Sequence, residues 1–157
     1  MPPAPAPPTS PTVYRVSATR LDDSRARIES RGHELLLNVK RGSGEAGFNA
    51  AETLLAALGA CLITNLTSLA AKMRLQVEGI QVQIEGLRQD DPPGIVDIRY
   101  RLELESPEPP ERLQRLHEVA FDWGTVTNTL LKGTHITGSL EAREPARASS
   151  MPANPNG

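Results

Sequence analysis

The sequence predicts an α+β fold in which antiparallel strands surround one long apolar helix. Three observations indicate this class: short runs that alternate apolar and polar residues before Arg41, an almost uncharged stretch from Ala50 to Met73, and renewed alternation after Arg74. Alternation with period two is typical of half-buried strands, and a long apolar stretch of helix formers is typical of a buried helix. Because the strands and helices come in blocks, the order favours α+β over repeated βαβ units.

Length and composition predict one domain with a disordered tail at each end. A chain of 157 residues is long enough for one core and short for two. Residues 1–11 are mostly Pro and Ala, and residues 143–157 are small, polar and rich in Pro. Neither segment can bury enough apolar surface to offset its ordering entropy. The sequence therefore predicts a folded domain at 12–142 between two disordered tails.

The first elements are predicted to form a three-stranded antiparallel meander. Its strands are the alternating runs Thr12 to Arg20, Ser24 to Ser30 and His33 to Lys40, separated by Asp22-Asp23 and Arg31-Gly32. Asp and Gly at these points are typical of turns. The glycines of the following segment, RGSGEAGFN, indicate a flexible connection rather than a phosphate-binding loop, because no Lys-Ser or Lys-Thr pair follows them.

A long helix is predicted to begin after Asn49. Asn is a favourable N-cap residue, and Glu52, three residues later, can return its carboxylate to the backbone of the cap. From Leu54 to Ala71 the apolar residues occupy nearly the whole circumference of the helix, which predicts burial on all sides. One small sheet cannot cover both sides of such a long helix, so we expect a second subunit to supply the remaining cover.

After the helix the sequence predicts a long hairpin, two helices and a closing strand. The hairpin strands are Leu75 to Leu87 and Gly94 to Ser106, each with one apolar and one polar face. Prolines then precede a helix whose apolar residues recur at helical spacing as far as Trp123, which places Trp123 in the predicted core. A short helix capped by Gly133 follows, and Thr134 to Ala142 is the predicted closing strand.

Charge and composition argue against several classes of function. The formal charge of −2, with both signs interspersed, gives no basic stripe and argues against a nucleic-acid partner. No uninterrupted apolar run reaches the roughly 18–20 residues of a spanning helix, and the N-terminus lacks a cationic start and an apolar core. We therefore expect a cytoplasmic protein without membrane association. With Cys61 as the single cysteine and no Cys/His cluster, we expect no internal disulfide, no metal site and no cofactor.

Three stretches of the sequence resemble the OsmC/Ohr family of osmotically inducible and organic hydroperoxide resistance proteins. ETLLAALGACL is similar to the start of the family's central helix with its cysteine, MRLQVEGIQVQIEG to the helix exit and following strand, and VTNTLLKGTHI to the segment of the second cysteine. The resemblance covers Val13 to Ala142. It implies an OsmC-like intertwined homodimer whose long buried central helices are wrapped by antiparallel sheets from both chains. It also implies thiol-based reduction of hydroperoxides at sites between the subunits.

The resemblance further implies a set of catalytic residues. Cys61 corresponds to the reactive cysteine, which attacks a small-molecule hydroperoxide as a thiolate and needs a nearby cation. Glu52, nine residues before Cys61, lies one position nearer to the cysteine than the family's glutamate, which pairs with an arginine. That arginine could be Arg20, Arg25 or Arg27 of the first hairpin, and Arg20, near its turn, is preferred.

The segment that resembles the second cysteine departs from the family. Where peroxidase members read Cys-Pro-Val-Ser, this chain has Gly124, Thr125, Val126 and Thr127. The resolving thiol is therefore missing. Oxidised Cys61 would need a small or protein thiol as an external reductant.

Most of these residues also have a structural interpretation. A free cysteine in an apolar helix is commonly a packing residue, and Glu52 can serve the helix cap alone. On this interpretation the protein is a non-enzymatic dimer that binds a small hydrophobic ligand in a cleft between its subunits. Thr127 and Asn128 are expected to be helix caps. Surface or structural roles are expected for His33, His117 and His135.

Overall fold

A computed structural model of the chain describes residues 11–42 and 47–141. The two predicted disordered tails lie outside these residues, apart from Pro11, as does the middle of the glycine-rich connection. The described elements are β1 (Ser17–Arg20), β2 (Arg25–Ser30), β3 (His33–Asn38), α1 (Ala50–Lys72), β4 (Gly79–Asp90), β5 (Pro93–Glu105), α2 (Pro110–Asp122) and α3 (Thr125–Lys132). The predicted α+β class is confirmed.

The predicted meander is confirmed, with shorter strands than expected. β1, β2 and β3 pair in sequence order and antiparallel. Arg31 and Gly32 connect β2 to β3 with φ of 51° and 80°, the left-handed pair that a tight two-residue hairpin requires. β1 begins at Ser17 rather than Thr12, because β2 ends at Ser30 and offers no ladder beyond the Ser17–Glu29 pair.

The meander has few ties to the rest of the chain. Leu37 forms an isolated bridge with Phe48, and the Asn38 amide donates to the Phe48 carbonyl at 2.9 Å. The side chains of Leu35, Leu36 and Phe48 are more than half exposed. The meander is thus a paired sheet whose apolar side chains lack an extensive packing surface within the described chain.

Helix α1 begins with the predicted capping box. The Asn49 side chain accepts from the Glu52 amide at 2.9 Å, and the Glu52 carboxylate accepts from the Asn49 amide at 2.9 Å. Both bonds satisfy backbone donors that the first turn leaves without intrahelical partners. The helix ends at Lys72, and Arg74 then takes a left-handed φ of 54° that turns the chain back toward the core.

The single chain covers one side of α1. The buried residues recur every four positions and face β4, α2 and α3, whereas Leu54 and Ile63 on other sides are 40% and 39% exposed. Expected burial on all sides therefore depends on a second chain, and the dimer stays a prediction.

By length and composition α1 could cross a membrane, a test that core helices of soluble proteins also pass; α1 is the core helix here. Its buried stripe consists of Leu58, Leu62, Leu66 and Ala70.

The hairpin β4–β5 and helix α2 complete the core. β4 and β5 pair antiparallel along their whole lengths, with a register shift at Leu87/Arg88. β4 begins at Gly79 rather than Leu75, because Leu75 turns inward after the helix and is 8% exposed. The core cluster consists of Leu66, Ala70, Leu75, Leu116 and Ala120.

Two predictions about the C-terminal part are wrong. Residues 134–141 form no strand within the described chain, and Ile136 and Leu140 are 86% and 93% exposed. A strand needs a neighbour to pair its backbone groups, and none of the described strands pairs with this segment. Trp123 is 77% exposed rather than in the core. Helix α2 ends at Asp122, so the backbone leaves the helical path before Trp123 can continue the buried stripe.

Candidate functional site

Cys61 lies near the middle of α1 and is half-buried. Its neighbour one turn later is Asn65, whose side-chain amide approaches the Cys61 sulfur at 3.9 Å and donates to the Ala120 carbonyl at 3.3 Å. The amide thereby ties the thiol to the last turn of α2. The hydrogen-bonding neighbour of the sulfur within the described chain is neutral, so the cation that a thiolate needs is not supplied by this contact.

Glu52 is committed to the helix cap in this chain. Its carboxylate bonds to the Asn49 backbone, and nine residues at about 1.5 Å per residue separate it from Cys61 along a straight helix. The capping role predicted for Glu52 is thus confirmed. Its second predicted role, orienting an arginine beside the thiol, stays a prediction.

The three candidate arginines all interact with carboxylates of their own meander. Arg20 pairs with Asp23, and its Nε donates to the Asp22 carbonyl at 3.2 Å. The Arg25 guanidinium donates to the Asp22 carboxylate at 2.8 Å. This contact, together with the Ser24 backbone amide, holds the pKa of Asp22 well below its ordinary value.

Arg27 completes the set with longer ion pairs. Its Nε lies 3.3 Å from Glu29 and 3.7 Å from Glu34. Among the described residues of one chain, no hydrogen bond or ion pair joins Cys61 to Arg27 or to the other candidate arginines. A single chain therefore leaves the predicted Cys61–Glu52–Arg20 set unassembled.

In the segment that resembles the second-cysteine site, the Thr127 side chain occupies the space next to Gly124 where a cysteine side chain would lie. Gly124 is the N-cap residue of α3, and a Cβ at that position would lie 2.5 Å from the Thr127 hydroxyl oxygen and 2.8 Å from the Thr127 Cβ. Real Cβ atoms do not approach so closely. The backbone at Gly124 is therefore compatible with Thr127 only because glycine has no side chain.

The predicted cap roles in this segment are half right. Thr127 is 3% exposed, and α3 has no side-chain cap bond, so its prediction as a cap is wrong; the side chain turns inward instead. The Asn128 amide donates to the carbonyls of Asp122 at 2.8 Å and Gly124 at 2.9 Å. Asn128 therefore does satisfy a helix end, that of α2.

An apolar cleft of about 350 Å³ lies between α1, β5, α2 and α3. Its wall includes Tyr100, whose hydroxyl lies 2.6 Å from His117 Nε2 and whose ring stacks on Phe121 at a centroid distance of 6.4 Å. Burial raises the pKa of the Tyr100 hydroxyl. Sequence reasoning missed this pair, because only the hairpin register brings Tyr100 beside α2.

The other chemical candidates are structural or exposed. His33 and His135 are exposed, and His117 is the partner of Tyr100, in line with the surface or structural roles predicted for the histidines. Within residues 11–42 and 47–141, no cluster of three His, Cys, Asp or Glu residues could hold a metal ion. The Cys61 thiol and the apolar cleft remain as candidate sites.

Comparison with known proteins gives a family match and several similar structures. The model of the family described as OsmC-like protein matches residues 42–139. The fold is similar to an OsmC-like protein from Mycoplasma pneumoniae, with TM-score 0.72 and 20% identity, over 78% of this chain and 89% of that chain. No curated protein matches the sequence.

Two further similar structures are hydroperoxide resistance proteins by name. They are OhrB of Bacillus subtilis, with TM-score 0.56 and 17% identity over 78% of this chain and 93% of that chain, and OsmC of Legionella pneumophila, with TM-score 0.60 and 14% identity over 80% and 93%. At these identities the likeness establishes the fold.

Proposed function

Because its residues 42–139 match the family model, the chain belongs to the OsmC-like protein family, and we propose that it reduces organic hydroperoxides with the thiol of Cys61. The observation that carries the proposal is the half-buried Cys61 sulfur on α1. The side-chain amide of Asn65 contacts this sulfur and also bonds to the Ala120 carbonyl near the end of α2. The names of the similar structures from Bacillus subtilis and Legionella pneumophila support the same class of substrate.

The proposed reaction begins at the Cys61 sulfur. The thiolate attacks the terminal oxygen of the hydroperoxide, so that an S–O bond forms while the O–O bond breaks. The alkoxide takes up a proton and leaves as the alcohol, and Cys61 becomes a sulfenic acid. An external thiol then attacks the sulfenic sulfur and releases water, and a second thiol restores Cys61 from the mixed disulfide.

A second copy of the chain is the proposed partner. The exposed side of α1, the loosely tied meander and the non-strand segment 134–140 all present exposed apolar side chains in one chain. A homodimer that buries them can bring an arginine of one meander, preferably Arg20, toward Cys61 of the other chain. Light scattering at micromolar concentration should give twice the chain mass, and a monomer with a dilution-independent melting temperature would remove this part of the proposal.

The proposed setting is the cytoplasm, where small thiols keep cysteines reduced and can regenerate the sulfenic acid. No metal or cofactor takes part in the proposed cycle.

Mass spectrometry after one equivalent of cumene hydroperoxide tests the chemistry. We expect a single-oxygen adduct on Cys61, no intrachain disulfide and a mixed disulfide when a monothiol is added. The Cys61→Ser variant is the matched control and should gain no such adduct. If wild-type protein and control leave the same peroxide concentration after prolonged incubation with thiol, the proposal fails.

The apolar cleft favours a second candidate function, binding of a small hydrophobic ligand without chemistry. In the sequence-based alternative the cleft lies between subunits. The cleft described here is built by elements of one chain, so it differs from the interfacial cleft of that alternative.

A further inference from the structure

The side-chain amide of Asn65 faces two acceptors, the Ala120 carbonyl and the Cys61 sulfur. Asn65 follows Cys61 by one turn of α1, and side chains in a helix lean toward its N-terminus, so the amide reaches back toward the thiol. Its Nδ2 lies 3.3 Å from the Ala120 oxygen and 3.9 Å from the Cys61 sulfur. An amide nitrogen carries two hydrogen atoms, one for each acceptor.

The Ala120 carbonyl determines which end of the amide faces the sulfur. Ala120 lies in the last turn of α2, and the Gly124 amide, which would reach its carbonyl in a longer helix, donates instead to Phe121 at 3.2 Å. Asn65 supplies the donor that this helix end would otherwise lack. Exchanging the amide nitrogen and oxygen would place two acceptors against each other. Asn65 therefore presents a donor to Cys61.

The distance from Nδ2 to the sulfur suits an oxidised cysteine better than a reduced one. At 3.9 Å the contact with the thiol is long, and sulfur is a weak acceptor. Hydrogen bonds from nitrogen to oxygen are about 2.7–3.2 Å long. An oxygen atom bonded to the sulfur on the amide side would lie closer to Nδ2 than the sulfur does and would accept more strongly. The amide should thus stabilise the oxidised state more than the thiol.

We propose that Asn65 donates to the sulfenic oxygen of Cys61 and directs the oxidised residue toward reduction by a thiol instead of further oxidation. This inference rests on the proposed function, because that reaction forms the sulfenic acid. It assigns Asn65 a direct role in the catalytic cycle, in addition to its bond with the end of α2.

The two fates of the sulfenic acid depend differently on a donor at its oxygen. In over-oxidation the sulfenate sulfur attacks a second hydroperoxide, so that a second S–O bond forms, the O–O bond breaks and the alcohol leaves a sulfinate behind. A donor to the sulfenic oxygen withdraws electron density from the sulfur and slows this attack. In reduction the sulfur is the electrophile, and the S–O bond breaks as water leaves. The same donor assists the departing oxygen.

Peptide mass spectrometry of the full-length protein after a hydrogen peroxide pulse tests this division, with dimedone added to trap the sulfenic acid. The measured quantity is the ratio of sulfinic to sulfenic acid at Cys61. Asn65→Leu removes the donor without adding a charge, and Asn65→Asp replaces it with an acceptor of the same shape. Both variants should raise the ratio about tenfold and slow the formation of a mixed disulfide with a monothiol.

Asn128→Asp is the matched control. The Asn128 amide also bonds to two backbone carbonyls where α2 meets α3, those of Asp122 and Gly124. Its loss should weaken that corner while the ratio of sulfinic to sulfenic acid stays at the wild-type value. A ratio raised equally by Asn128→Asp and by the Asn65 variants would show that loosening of the corner is the cause, and would overturn the proposal.

NMR of the Asn65 side-chain amide in the wild-type protein keeps the test decisive if the Asn65 variants fail to fold. One amide proton of Asn65 should move downfield when hydrogen peroxide oxidises Cys61, and those of Asn128 should not move. Unmoved Asn65 protons, or folded Asn65 variants with the wild-type ratio, would overturn the proposal.

A parallel sample with one equivalent of cumene hydroperoxide separates this proposal from the proposed function. If only hydrogen peroxide oxidises Cys61, the reduction of organic hydroperoxides fails as the function, while the ratio and the Asn65 shifts still decide the role of Asn65. A Cys61 that neither peroxide oxidises would overturn both.

Discussion

The core region, formed by α1, β4, β5 and α2, differs from the meander of β1–β3 in how well a single chain buries its apolar side chains. In the core region Leu62, Leu66 and Leu116 are fully buried. In the meander the strands are fully paired, yet Leu35 and Leu36 are 59% and 55% exposed. Backbone pairing and side-chain burial are thus satisfied separately in this molecule.

This difference explains why one chain positions Cys61 but leaves its predicted activating groups apart. The thiol belongs to the core region and is tied to α2 through Asn65. The arginines belong to the meander and pair with carboxylates there. We infer that the active arrangement depends on where the meander docks, which is the property that a second chain would decide.

The largest expected effect lies in the core region. Leu66→Ala should lower the free energy of unfolding by about 2–5 kcal/mol, because Leu66 is completely buried and α1 cannot close the cavity. Leu66→Met is the matched control and should cost less than about 1.5 kcal/mol. Denaturant unfolding measures both variants, and equal midpoints for the two would contradict a closely packed core.

The corner between α2 and α3 gives the next largest effect. Gly124→Cys should destabilise the protein by about 1–3 kcal/mol through overpacking against Thr127. Adding Thr127→Ala should recover most of this loss, a coupling that a double-mutant cycle of thermal unfolding measures. Gly138→Cys, where a Cβ meets no atom within 4 Å, is the control. Additive effects of the Gly124 and Thr127 changes would show that the two residues do not contact.

Glu52 separates the capping role from the catalytic one. Glu52→Ala should cost about 0.3–1.5 kcal/mol by removing the bond to the Asn49 amide, whereas Glu52→Gln keeps an acceptor and should retain stability. If Glu52 also orients an arginine in a dimer, Glu52→Gln should lower peroxide turnover while the melting temperature stays constant. Full turnover by a stable Glu52→Gln protein would assign the residue to the cap alone.

The smallest effect concerns the acid behaviour of the meander. The Arg25 guanidinium lowers the pKa of Asp22 below its ordinary value of 3.8. A depressed carboxyl pKa stabilises the fold above the ordinary value, and that contribution is lost as the pH falls through the lower folded value. NMR titration of Asp22 should therefore show a midpoint below 3.8. Arg25→Met should move the midpoint upward, and an unchanged midpoint would exclude this cause.

Local signals made part of the fold predictable. The helix start at Asn49 depends on a cap four residues long, and the Arg31-Gly32 turn depends on two residues, so both could be placed from sequence. The start of β1 and the segment after Gly133 could not, because a strand exists only where a neighbour pairs with it.

The candidate site was predictable in its chemistry but not in its geometry. Cys61 stood out as the single thiol, whereas its tie to α2 requires Asn65 to meet Ala120, 55 residues away. The inward turn of Thr127 and the contact of Tyr100 with His117 likewise depend on helix packing and hairpin register. Sequence periodicity contains no information on such approaches.

The reaction rate of native Cys61 with an alkyl hydroperoxide, compared with that of free cysteine at the same pH, tests the account most directly. We predict a second-order rate constant at least about tenfold higher than that of free cysteine, equivalent to about 1.4 kcal/mol of added transition-state stabilisation, with one oxygen atom gained at Cys61. A native thiol that reacts no faster than free cysteine, together with unchanged peroxide handling by Cys61→Ser, would contradict a catalytic role for Cys61.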